Sequence, residues 1–178
     1  MPLCFAYGSN MDRAAMATRC PRAAVVGLGR LERHRLAIMR EGYATVVRDA
    51  RRAVHGVLWE LPFGDILALD RYEGVASGLY VKRQQPIVTA GGVRRALVYF
   101  GTNAGPGAPV AGYLEGVLAA AREAGLPAGA LADIAALGIG GRLRPAAPSG
   151  PVANVRPTRA TPQDPEKPAN RPGWRWTP

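Results

Sequence analysis

The sequence predicts a mixed α/β domain built on a mainly antiparallel sheet or small β-barrel. Two observations point there. The stretch "LYVKRQQPIVTAGGVRRALVYF", residues 79–100, reads as two strands joined at Gly91-Gly92, a hairpin signal. Around it, short strand-like runs are interspersed with helical stretches, the pattern of hairpins plus helices rather than of a doubly wound parallel sheet. "GLGRLE" at Gly27 lacks the third glycine of a dinucleotide-binding fingerprint.

The elements follow in chain order. "LCFAY", Leu3 to Tyr7, is a short apolar run and reads as a buried strand. "GSN" breaks it, and "MDRAAMATR" then reads as a helix, with Ser9 or Asn10 as its cap and Asp12 in its first turn. Residues 24–39 and 43–48 contain strand-like stretches, and "AVHGVLWEL", Ala53 to Leu61, is a further strand. Pro62 fits the opening of a helix that runs to about Glu73. After the hairpin, "APVAGYLEGVLAAAREAGLP" predicts a helix with Val110, Leu114, Val117 and Leu118 on one stripe, stopped by Gly125 and Pro127. One more helix is expected over Ala128 to Leu137.

From Pro145 the composition changes. Nine of the 16 prolines fall in the last 34 residues, where aliphatic side chains larger than Ala are few. Such a segment cannot bury enough apolar surface to offset its ordering entropy. The expected organisation is one domain over 1–144 and an extended or disordered Pro-rich tail over 145–178, ending in "RPGWRW" with Trp174 and Trp176.

Composition narrows the function classes. The 178 residues, 48% hydrophobic and 20% charged, suffice for one globular core. No apolar run has the length of a membrane span, and "MPLCFAYGSNMDR" lacks the basic-then-apolar pattern of a secretory leader. Cys4 and Cys20 lack zinc or redox spacing and cannot form a disulfide framework, so a reduced, cytoplasmic protein is expected. His34 and His55 have no ligand-spaced partners, and neither metal nor cofactor is expected. The net charge of +10 invites a nucleic-acid reading. Yet 21 of the 23 basic residues are Arg, scattered along the chain without interleaved aromatic platforms. Neither nucleic acid nor membrane is expected as a partner.

Two stretches carry chemistry. In "LALDRYEGV", Leu67 to Val75, Glu73 sits at the end of a helix stopped by Gly74. Ile66, Leu69 and Glu73 fall at i, i+3 and i+7, which puts the carboxylate on the inward face. Burial and the negative helix end both disfavour its charged form. A carboxyl so placed can take and return a proton near neutral pH, as a general base must. The second stretch is "FAYGSNM", Phe5 to Met11. There a strand meets a helix start whose N–H groups suit an anion, Gly8 allows close approach, and Ser9 and Asn10 add donors.

Together these stretches resemble the γ-glutamylcyclotransferase family. "YGSNM" looks like that family's Tyr-Gly-Ser-Asn-(Leu/Met) substrate loop. "LDRYEGVASGLY" looks like its Leu-Asp-x-x-Glu-Gly-Val-x-x-Gly-x-Tyr segment, and "GYLEGVLAAAREAGLP" is similar to its late helix. The resemblance covers about residues 3–138. It implies a small barrel of mixed strands flanked by helices. It also implies cleavage of a γ-glutamyl amide by its own α-amino group, giving 5-oxoproline and a free amine without cofactor. By that likeness Glu73 is the catalytic acid/base, and Tyr7, Gly8, Ser9, Asn10, Met11, Tyr80 and Tyr113 bind substrate. The prolines before Tyr113 are spaced differently from the family pattern. The expected partner is a small γ-glutamyl compound, and a homodimer is compatible with the reading. The alternatives are a non-catalytic binding module on the same fold and a relative acting on a γ-glutamyl-acylated natural product.

Overall fold

The computed structural model describes residues 1–138. Five strands form a closed barrel: β1 (Leu3–Ala6), β2 (Ala24–Ile38), β3 (Ala44–Glu60), β4 (Tyr80–Thr89) and β5 (Gly92–Gly101), in the order β1-β3-β2-β4-β5. All pairings are antiparallel except the closure, where β1 runs parallel to β5 at Cys4 and Leu97. Four helices flank it: α1 (Arg13–Arg19), α2 (Phe63–Tyr72), α3 (Tyr113–Glu123) and α4 (Ala128–Ala136). The mainly antiparallel barrel with flanking helices is therefore the observed architecture. The Pro-rich tail over 145–178, with Trp174 and Trp176, and the boundary expected at 144 lie outside the described residues.

Two buried clusters hold these parts together. Phe5, Leu31, Val54, Leu58, Ile87 and Val98 form one, with contributions from all five strands. In the other, Met16, Leu69, Val117, Ala121 and Ile134 bring α1, α2, α3 and α4 onto Cys4, Val57 and Trp59. Leu69 is fully buried, so apolar burial fixes the rotation of α2 and with it the direction of Glu73.

Three elements depart from the expectation. The strand-like runs 43–48 and 53–61 are one continuous strand, β3. The polar residues between them stay in it as an irregularity, because Arg33 alone on β2 stands against residues 49–52. Arg33 adopts φ 59 there, and the Asp49 side chain accepts from the Arg51 N–H at 3.1 Å. The helix expected from Ala108 begins only at Tyr113, because Gly112 before it is left-handed at φ 77. Val110, placed on the helical stripe, packs in the preceding loop and donates its N–H to the Gly42 carbonyl at 3.2 Å. Finally, neither Ser9 nor Asn10 caps α1. Residues Ser9–Met11 form a separate 3₁₀ turn, and Asp12 caps α1 by accepting from the Ala15 N–H at 3.0 Å. That division frees the Ser9 and Asn10 side chains from the helix start.

Candidate active site

One end of the barrel is where chain segments far apart in sequence converge. The exit of β1 brings Tyr7, Gly8, Ser9 and Asn10; the turn into β3 brings Tyr43 and Ala44. The end of α2 brings Glu73, the start of β4 Tyr80, β5 Tyr99 and the start of α3 Tyr113. These residues, with Cys4, Phe5 and Ala6, line one cavity.

Glu73 follows the last turn of α2, and its N–H still donates to the Leu69 carbonyl at 2.8 Å. Gly74, at φ 65, then ends the helix. The Glu73 side chain is 6% exposed. Burial pushes its carboxyl up to about 7. A hydrogen bond from the Asn10 amide, at 2.5 Å, and the Arg19 charge act the other way, whereas Asp70 adds to the rise. The group is thus poised between its two protonation states near neutral pH.

The 3₁₀ turn supplies the facing wall. Its first internal bond is from the Met11 N–H to the Gly8 carbonyl at 3.0 Å, and the N–H groups of Gly8, Ser9 and Asn10 precede it. A Cβ on Gly8 would lie 3.1 Å from the Tyr113 hydroxyl, tighter than an ordinary contact, so the glycine keeps this wall narrow. The Ser9 hydroxyl lies 3.4 Å from the Tyr72 hydroxyl.

All six tyrosines of the chain gather here. The Tyr7 hydroxyl donates to the Tyr99 carbonyl at 2.5 Å, and that of Tyr80 to the Ala44 carbonyl at 2.7 Å. The Tyr113 hydroxyl accepts from the Ala44 N–H at 3.1 Å, and its ring meets that of Tyr43 edge-on at 5.3 Å. The Tyr99 hydroxyl donates to Asp70 at 2.6 Å, and Asp70 also receives Lys82 at 2.6 Å. Burial holds the phenols of Tyr7, Tyr80, Tyr99 and Tyr113 well above their usual range, so they stay neutral.

Of the residues singled out in the sequence, Tyr7, Gly8, Ser9, Asn10, Glu73, Tyr80 and Tyr113 come together around this cavity. Met11 does not: it is 1% exposed, sits in the apolar cluster of α1 and α2, and is absent from the lining. The 3₁₀ turn carries its side chain inward to the core while Asn10 faces the acid. Tyr43, Tyr99 and Arg19 escaped the sequence reading. No local pattern marks Tyr43, and Tyr99 looks like any aromatic residue of a strand. Among the described residues, no group of three or more His, Cys, Asp and Glu could hold a metal ion, and both cysteines are free and buried.

Comparison with known proteins fits this geometry. The AIG2-like family model matches residues 53–133, which run from within β3 into α4. The chain is 31% identical over 136 residues to gamma-glutamylcyclotransferase of Homo sapiens, covering 70% of this chain and 72% of that protein. The Mus musculus gamma-glutamylcyclotransferase is 32% identical over the same coverage. A solved gamma-glutamyl cyclotransferase superposes with a TM-score of 0.72 at 27% identity, over 80% of this chain and 93% of that one. An ensemble-refined crystal structure of an uncharacterized Homo sapiens protein gives a TM-score of 0.71 at 28% identity, over 85% and 92%. The barrel and its helices thus have the fold of solved gamma-glutamyl cyclotransferases. The chain belongs to the γ-glutamylcyclotransferase family.

Proposed function

We propose that the protein is a γ-glutamylcyclotransferase that cleaves a γ-glutamyl amino acid or amine, with Glu73 as its acid and base. The observation that carries this reading is the Glu73 carboxyl, buried against the cavity and pushed up to about 7. The substrate's α-ammonium cannot attack until it loses a proton, and Glu73 takes it. The freed amine then attacks the γ-carbonyl carbon within the same molecule, closing a five-membered ring. As the bond from that carbon to the leaving nitrogen breaks, Glu73 returns its proton to that nitrogen, and the second proton shed by the attacking nitrogen passes through the same carboxylate to the departing amine, which leaves as an ammonium. The products are 5-oxoproline and the free amine, and no water is consumed.

Because attack is intramolecular, the remaining work is to hold the glutamyl chain in a ring-closing conformer. Tyr7, Gly8, Ser9, Asn10, Tyr80 and Tyr113 are the residues assigned to it, on neutral hydroxyls and the N–H groups of the turn. Those N–H groups suit an anionic oxygen, whether the α-carboxylate or the carbonyl oxygen that gains charge during attack.

The test is an assay for 5-oxoproline from a γ-glutamyl amino acid, γ-glutamyl-lysine and a γ-glutamyl alkylamine, with Glu73→Gln alongside each. Product from at least one compound, lost in the variant, is the expected outcome. Wild-type rates in Glu73→Gln would reject Glu73 as the proton carrier.

A further inference from the structure

We infer that Arg19 is a positioning residue for the proton carrier: it fixes Asn10 so that the amide presents only N–H groups to Glu73. The inference rests on Glu73 as the acid and base of the reaction.

Arg19 is the last residue of α1 and is half-buried. One Nη donates to the Asn10 side-chain oxygen at 2.6 Å and reaches the Ser9 carbonyl at 3.4 Å. The guanidinium carbon lies 3.8 Å from the centre of the Tyr72 ring, so α2 holds the cation from the other side. A guanidinium has donors and no acceptor. The Asn10 oxygen must therefore face Arg19, and its nitrogen must face Glu73, where it donates at 2.5 Å. The usual ambiguity between the two ends of an amide is removed by chemistry.

Two consequences follow for the proton. An N–H from Asn10 stabilises the ionised carboxylate. It cannot accept from the neutral acid, so the proton of neutral Glu73 has to sit on the other oxygen. Without Arg19 the amide is free to turn its oxygen toward Glu73 and accept that proton, which favours the neutral acid. Loss of the positive charge acts in the same direction. The other groups that act on Glu73 do not replace it. Asp70 of α2 carries the wrong sign, and Lys82 of β4 is bound to Asp70. Cys4 of β1 and the phenols of Tyr7, Tyr72, Tyr80, Tyr99 and Tyr113 are held neutral by burial.

The experiment is a carbon-13 NMR titration of the glutamate side-chain carboxyls in the full chain. The Glu73 signal is assigned by its loss in Glu73→Gln, and wild type is compared with Arg19→Met and Arg19→Lys. The Glu73 midpoint should rise by about one pH unit in Arg19→Met, a tenfold loss of the ionised form below it. Arg19→Lys, which keeps the charge and one kind of donor, should shift it less in the same direction. The acid limb of kcat/KM should move by the same amount. An unmoved midpoint in the folded variants overturns the inference. So does a drop in kcat/KM that is uniform across pH. Should wild type form no 5-oxoproline, or Glu73→Gln keep its rate, the functional reading fails; the titration still decides whether Arg19 sets the proton affinity of Glu73.

Discussion

Asp65 and Glu73 stand near opposite ends of α2, and both are buried, at 5% and 6% exposure. Their surroundings are opposite. Asp65 lies in the first turn, where the helix end is positive, and takes three bonds from Arg22: backbone N–H at 3.0 Å, Nε at 3.2 Å and Nη at 2.9 Å. Glu73 lies at the negative end, with one neutral amide donating to it and the guanidinium held off behind that amide. Equal burial therefore gives two different groups. The acid with a direct cation and three donors is a tether between α2 and the segment after α1. The acid whose one donor among the described residues is a neutral amide has an elevated proton affinity, and is the one that faces the cavity. Burial alone does not set a carboxyl's proton affinity; the donors and charges beside it count as well.

The largest test of this contrast is Glu73→Gln, which keeps shape and removes the titrating group. It should cost about 10²- to 10⁴-fold in the rate of 5-oxoproline formation, the usual weight of general acid–base catalysis. Asp65→Asn should leave kcat nearly intact, and equal losses in both variants would erase the distinction.

The next test uses pH. Glu73 binds its proton more tightly in the folded chain, about 7 against an ordinary 4.5. The stability this confers is complete below about pH 4.5 and is lost as pH rises through about 7. Relative to Glu73→Gln, wild type should lose up to about 3 kcal/mol across that window. Denaturant unfolding of both proteins from pH 4.5 to 8 measures it, and a constant difference would mean that Glu73 titrates like a free acid.

Smaller again is the stability cost of Asp65→Asn, about 2 kcal/mol, since hydrogen bonds to a charged group are weakened while Arg22 remains partly solvated. A melting temperature equal to wild type would show that the tether contributes nothing. Smallest is Ser9→Ala, which should weaken substrate binding by about one hydrogen bond, roughly 1 kcal/mol. Unchanged affinity would move Ser9 out of the site.

Local chemistry fixed much of this. The Ile66, Leu69, Glu73 spacing turns the acid inward because two apolar neighbours on the same helical face must be buried. Gly74 ends α2 beside it, and Gly92 and its neighbours close the β4–β5 hairpin, from residues whose backbone preferences are read without knowing the fold. Other features were not legible. Three consecutive residues of the 3₁₀ turn split their roles, Ser9 toward Tyr72, Asn10 toward Glu73 and Met11 into the core. That division depends on Asp12 taking over the cap of α1, a competition between neighbouring polar side chains that spacing alone does not resolve. The merger of two strand-like runs into β3 depends on what β2 offers opposite residues 49–52.

By itself, then, the sequence determined the antiparallel hairpin, the helix that ends at Glu73 and the inward direction of that acid, because each follows from periodicity or backbone preference within a dozen residues. Only the tertiary structure decided what surrounds the acid. Tyr43 and Tyr99 reach the cavity from two separate segments, and Arg19 reaches Asn10 from the far end of α1. A carboxyl's proton affinity is set by charges and donors within a few ångströms, and barrel closure, not chain order, brings those groups within that distance.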